Sequence, residues 1–77
     1  MPISENDLRL RLGEKIEELR SSKNLGVREF ALIAEIEHHQ LINIEKGRVD
    51  LRLKTLRKIA IGLDVDIQEL FNFKKTS

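Results

Sequence analysis

VREFALIAEIEHHQLINIEKG, residues 27–47, is the stretch on which the fold turns. Val27, Phe30, Ala31 and Ala34 fall on one face of a helix, whereas Leu41 and Ile44 mark a second short helix that Gly47 ends as a C-terminal cap. Between them the pattern breaks near Glu35 and Ile36. Gly26 stands where a Ser or Thr would satisfy the free amides of the first turn, so the earlier helix starts on a poor cap. The small side chains of Ala31 and Ala34 let two helices cross closely. Two short helices about one tight turn apart read as a helix-turn-helix corner, whose second helix either packs like any other or enters a groove of duplex DNA.

Outward from this corner the periodicity stays helical. Ser4 with Asp7 resembles a capping box, and Leu8, Leu12, Ile16 and Leu19 form one apolar stripe over about residues 5 to 22. Leu53, Leu56, Ile59, Ala60 and Leu63 define a fourth helix. Asp66 and Glu69 suggest a capped fifth, with Ile67, Leu70 and Phe71 facing inward. No strand pattern survives. The expectation is an all-α single domain with its core over about residues 5–73 and a disordered KKTS tail at 74–77.

Composition narrows the function classes. The 77 residues contain no Cys, so disulfides and thiolate metal sites are excluded. No apolar run approaches the roughly 18 residues that span a bilayer, and the MPISEND start lacks a signal-peptide pattern, which together suggest a cytoplasmic protein. There is no glycine-rich phosphate loop and no nucleophile set with a His and a carboxylate, so an enzyme is not expected. Net charge is only +1, but its distribution is uneven. Residues 25–47 hold two bases and four acids, while Arg48, Arg52, Lys54, Arg57 and Lys58 face the single acid Asp50 within the next eleven residues.

His38 and His39 are the only histidines. Adjacent helical residues point about 100° apart, which prevents the two from chelating one ion together. Glu35 with His39, or His39 with Asn43, supplies two ligands at most, short of a four-ligand zinc site. The remaining readings are a solvated helix face and a face that reads bases by hydrogen bonds. With Leu41 and Ile44 turned inward, Glu37, His38, His39, Gln40 and Asn43 fall on or around the open side.

From Leu25 to Phe71 the chain resembles the Cro/CI-type (XRE) helix-turn-helix family. The resemblance is carried by Leu25, Glu29-Phe30-Ala31, Leu41, Ile44-Glu45-Lys46-Gly47, Leu53, Thr55-Leu56, Ile59-Ala60, Leu63, Val65, Ile67 and Glu69-Leu70-Phe71, with Leu12-Gly13, Ile16 and Leu19-Arg20 upstream. It implies the five-helix lambda-repressor-like fold, double-stranded DNA as ligand, and two-fold binding by a homodimer to a palindromic operator. No cofactor is implied. The chain departs from the family pattern at several positions. Glu35 replaces the turn glycine, Val27 replaces a phosphate-clamping Gln, Leu51 replaces a Pro, and Asp64 replaces a Gly between the last two helices. A left-handed Glu35 costs about 1 kcal/mol or more unless the turn is rebuilt.

The same resemblance suggests roles. His38, His39 and Asn43, with Glu37 beside them, would contact base edges. Arg28, Gln40, Lys46, Arg48, Arg52 and Lys54 would contact phosphates, helped by amides at the start of the second helix and around Lys46 and Gly47. Arg57 and Lys58 read better as a solvated face. Arg20 and Glu45 would form an ion pair tying the first helix to the end of the third. Dimer contacts would come from the fifth helix and its tail, where Phe73 lies beyond the core pattern, with Ile42 a further candidate. These features suggest a sequence-specific transcriptional regulator, acting as a repressor. The alternative is an interaction module or antitoxin of the same fold, whose partner is a protein (a toxin or co-regulator). The acidic 25–47 segment and Val27 favour that alternative, and the basic 48–58 stretch opposes it.

Overall fold

The computed structural model describes residues 2–73, and the KKTS tail lies outside them. Four α-helices, α1 (Glu5–Ser22), α2 (Val27–Ala34), α3 (His38–Glu45) and α4 (Leu53–Leu63), precede a 3-10 helix, η1 (Ile67–Phe71). The described residues contain no strand. The fifth element is thus a 3-10 turn rather than an α-helix. Asp66 stands at its N-cap but makes no side-chain cap bond. Without that bond, and with only five residues, the tighter i→i+3 pattern suffices.

The core is one cluster in which Ile16, Phe30, Leu41, Ile59, Leu63 and Leu70 are fully buried, with Leu12, Ala31, Ala34, Ile44, Leu56 and Ala60 around them. Leu53 is 80% exposed, so the inward stripe of α4 begins at Leu56. Ile67 and Phe71 are likewise exposed, and Leu70 is the one residue of η1 buried in the core. Phe73 does the opposite of what its position suggests. It packs against the core and meets the Phe71 ring edge-on at 6.2 Å.

All four α-helices end in the same way. The chain turns through a left-handed residue, Asn24, Glu35, Gly47 or Asp64, each near φ +60 to +70°. The next residue's N–H then returns to the carbonyl five positions back: Leu25 to Arg20, Ile36 to Ala31, Arg48 to Asn43, and Val65 to Ala60. This is the Schellman arrangement, and it satisfies carbonyls that a helix end would otherwise leave bare. Leu25, Ile36 and Val65 also tuck against the core, so three of the four caps are fastened by apolar contact. The turn at Glu35 is therefore not rebuilt; Glu35 takes the left-handed conformation itself (φ 59°, ψ 45°).

At the front of α1, Ser4 Oγ accepts from the Asp7 N–H at 3.1 Å. The start of α2 is better capped than Gly26 alone suggests, since Glu29 Oε1 reaches back to accept from the Gly26 N–H at 3.0 Å. Gly13 sets the spacing of α1 on α3. A Cβ there would lie 2.5 Å from the carbonyl oxygens of both Ile44 and Glu45.

Candidate nucleic-acid interface

The corner between α2 and α3 is held from inside by Phe30, Ala31, Ala34, Leu41 and Ile44, all buried. That burial turns the opposite side of α3 outward. His39, Gln40 and Lys46 are exposed, and His38, Ile42 and Asn43 are half-buried. The first-turn amides of α2 and α3 have no acceptor within their own helices, as at any helix start, and they suit an anion. The amides of Lys46 and Gly47 are different. They donate to Ile42 and Ile44 at 3.1 and 3.0 Å within the cap, so Lys46 is left to act through its ammonium.

The candidate residues fall into three groups. At the start of α3 the imidazoles of His38 and His39 lie with centroids 4.3 Å apart and planes tilted by 33°. Their backbone directions diverge, but their rotamers bring the rings together, contrary to the simple wheel. His38 is held below the ordinary histidine value, chiefly by lost hydration and then by Arg28 and His39, while Glu37 opposes the shift. Among the described residues no group of three or more His, Cys, Asp or Glu is arranged to hold a metal.

The second group lines an open groove of about 620 Å³ beside α3. Glu37 and Gln40 line it together with Arg52, Lys54 and Thr55. Lys58 belongs there as well, its ammonium donating to the Glu35 carbonyl at 3.3 Å, so it is more than a solvated face. The third group is at the far end of α3, where Arg48 Nη1 donates to Asn43 Oδ1 at 3.3 Å.

Two contacts support these groups from behind. Arg20 grips Glu45 with two bonds, Nε to Oε2 at 2.7 Å and Nη2 to Oε1 at 3.0 Å, and its Nη1 donates to the Leu25 carbonyl at 2.7 Å. The two side chains are only 11% and 8% exposed. Hydrogen bonding to Glu45 raises the Arg20 pKa against the opposing effect of burial, so the guanidinium stays charged. Second, Arg9 Nη1 bonds both Glu5 and Asp50 at 3.0 Å, and its Nη2 reaches Asn6. Arg9 thereby neutralises the one acid of the 48–58 stretch and ties that loop to α1. Arg9 and Asp50 are 41 positions apart, a separation that gives no local pattern from which this link can be read.

The comparisons with known proteins agree with this geometry. A family model described as "Helix-turn-helix domain" matches residues 13–75. The control protein C.MunI of Mycoplasma sp is 34% identical over 68 residues, covering 87% of this chain and 92% of that protein. The SPbeta prophage-derived HTH-type transcriptional regulator YopS of Bacillus subtilis (strain 168) is 32% identical over 60 residues, covering 77% of this chain and 81% of that protein. Among solved structures, the restriction-modification controller protein C.AhdI from Aeromonas hydrophila superposes with a TM-score of 0.79 at 27% identity, over 80% of this chain and 94% of that one. The buried α2–α3 corner and the matched family model together make this chain a member of the helix-turn-helix domain family, of the Cro/CI type.

Proposed function

We propose that the protein is a transcriptional regulator that binds double-stranded DNA sequence-specifically, with α3 in the major groove. The observation that carries this reading is the outward face of α3, which bears His38, His39 and Asn43, with Arg48 bonded to Asn43 and with Arg52 and Lys54 lining the groove alongside α3. Imidazole and carboxamide groups present donors and acceptors that base edges can meet. Arg28, Arg48, Arg52 and Lys54 supply phosphate contacts. The likeness to control proteins and to a transcriptional regulator supports regulation of transcription rather than catalysis. Repression follows if the bound site overlaps a promoter.

A homodimer on a palindrome is part of the proposal, since paired half-sites lie about 34 Å apart. Leu53 and Ile61, 80% and 62% exposed, share one side of α4 at i and i+8, and Ile67 and Phe71 are exposed on η1. This apolar surface is the proposed dimer contact, in place of Phe73. Leu53→Asp should then weaken self-association in sedimentation runs and leave the fold intact by circular dichroism.

Selection of bound duplexes from a random pool at about 0.1 M salt tests the proposal directly. The expected result is an enriched palindrome with half-sites one helical turn apart. A folded protein that enriches nothing would favour the second reading, a protein-interaction module of the same fold, for which the exposed Leu32 and Ile33 of α2 are the specific observation.

A further inference from the structure

We infer that Arg48 is a positioning residue for base reading: its guanidinium sets the orientation of the Asn43 carboxamide and links it to the DNA backbone. The inference rests on α3 being the groove-facing helix. Arg48 holds Asn43 twice. Gly47, at φ +71°, turns the chain back so that the Arg48 N–H donates to the Asn43 carbonyl at 3.0 Å. The side chain follows the same path, Nη1 donating to Asn43 Oδ1 at 3.3 Å.

A carboxamide is an acceptor at one end and a donor at the other, and a free one presents either end at little cost. A guanidinium accepts nothing, so it can meet only the oxygen. Arg48 thus selects one of the two orientations and leaves the Asn43 NH₂ on the side away from itself. Its other N–H groups stay available for a phosphate. A phosphate that orders Arg48 also orders Asn43, and a backbone contact then contributes to sequence discrimination.

The chemistry predicts which bases are favoured. With Oδ1 already engaged, Asn43 reads chiefly as a donor, which suits the N7 and O6 of guanine. Adenine asks the same oxygen to accept from N6 as well, and must share it with Arg48. Cytosine offers only a donor and is disfavoured.

The test uses the duplex selected by the full chain and all its single-base variants, with the wild type and the N43A, R48A, N43A/R48A and R52A variants. The Asn43 position is the one at which N43A loses discrimination. At that position R48A should lose about tenfold of the discrimination between guanine and the other bases, with preference drifting toward adenine. The double variant should lose no more discrimination than N43A alone. R52A should lower affinity by one factor for every duplex. A uniform loss for R48A, with discrimination at the Asn43 position intact, overturns the inference and leaves the DNA-binding reading standing. Failure of the wild type to enrich any sequence overturns both. A readout without DNA is also available. In the ¹⁵N spectrum the Asn43 side-chain NH₂ pair should shift in R48A while the melting curve stays put, and an unmoved pair would count against the positioning role.

Discussion

At the residue scale, the informative positions are those where the side chain and the backbone want different things. Glu35 occupies a left-handed site that glycine fills without strain. Its cap bonds are backbone bonds, and the Lys58 contact is to its carbonyl, so removing the side chain breaks neither. Glu35→Gly should therefore stabilise the protein by about 1 kcal/mol, read as a higher urea midpoint at unchanged slope. A lower midpoint would mean that the carboxylate does something its contacts do not reveal. His38 makes a second prediction. In the free protein its folded pKa is depressed, so the unfolded chain binds the extra proton, and stability falls as pH drops below about 6.5. On DNA, phosphates would raise the same pKa, so the complex binds protons that the free protein does not. Affinity should then rise as pH falls toward about 6, the reverse of the stability trend. Arg28, Glu37 and His39 all act on this ring, so the control is His38→Gln, which should flatten the affinity profile between pH 6 and 8.

At the element scale, helices 1 to 4 were legible mainly from apolar spacing, reinforced by a cap or a stop residue at α1 and α3. Ser4 caps α1, and Gly47 ends α3. The fifth element was legible in place but not in kind. Ile67, Leu70 and Phe71 fit an α-helical face, yet the five residues after Asp66 close as a 3-10 turn that buries Leu70 alone. Leu53 misled for a related reason. It sits in the first turn of α4, one turn before the helix reaches the core, and its spacing matches a stripe that burial does not continue. The packing of α1 on α3 gives the sharpest test at this scale. In mid-helix Gly costs about 1 kcal/mol against Ala, so Gly13→Ala would help an isolated helix. Here the added Cβ meets two carbonyl oxygens of α3, which are backbone and yield little. The variant should lose about 1–3 kcal/mol, visible as a melting point lower by several degrees or more. A melting point raised by the substitution would mean that α1 and α3 can part without penalty.

At the scale of the whole molecule, the fold is a bracket that presents α3. Arg20 and Glu45 fasten the end of α1 to the end of α3, and Arg9 fastens the following loop to the start of α1. The first pair is nearly buried, so removing one partner strands a charge in a dry place. Glu45→Ala should cost about 3 kcal/mol and lower the melting temperature by ten degrees or more. Arg9 with Asp50 is more exposed, and Asp50→Ala should change the melting temperature by a few degrees at most. Equal losses in the two variants would show that the α1–α3 tie is not the stronger fastening.

The sequence by itself determined the helical class, the α2–α3 corner and the outward face of α3, because those follow from periodicity within a few neighbouring residues. The Arg20–Glu45 pair was suggested only by family resemblance. Tertiary structure decided the rest. It brought Arg9 to Asp50, Lys58 to the Glu35 carbonyl, and Glu37 and Gln40 into one groove with Arg52 and Lys54. It also brought the His38 and His39 rings together and set Arg48 against the Asn43 amide. Such contacts depend on rotamers and on the relative placement of packed helices. Local spacing carries no record of either, since neighbours along the chain constrain a backbone far more tightly than they constrain which distant side chain it will meet.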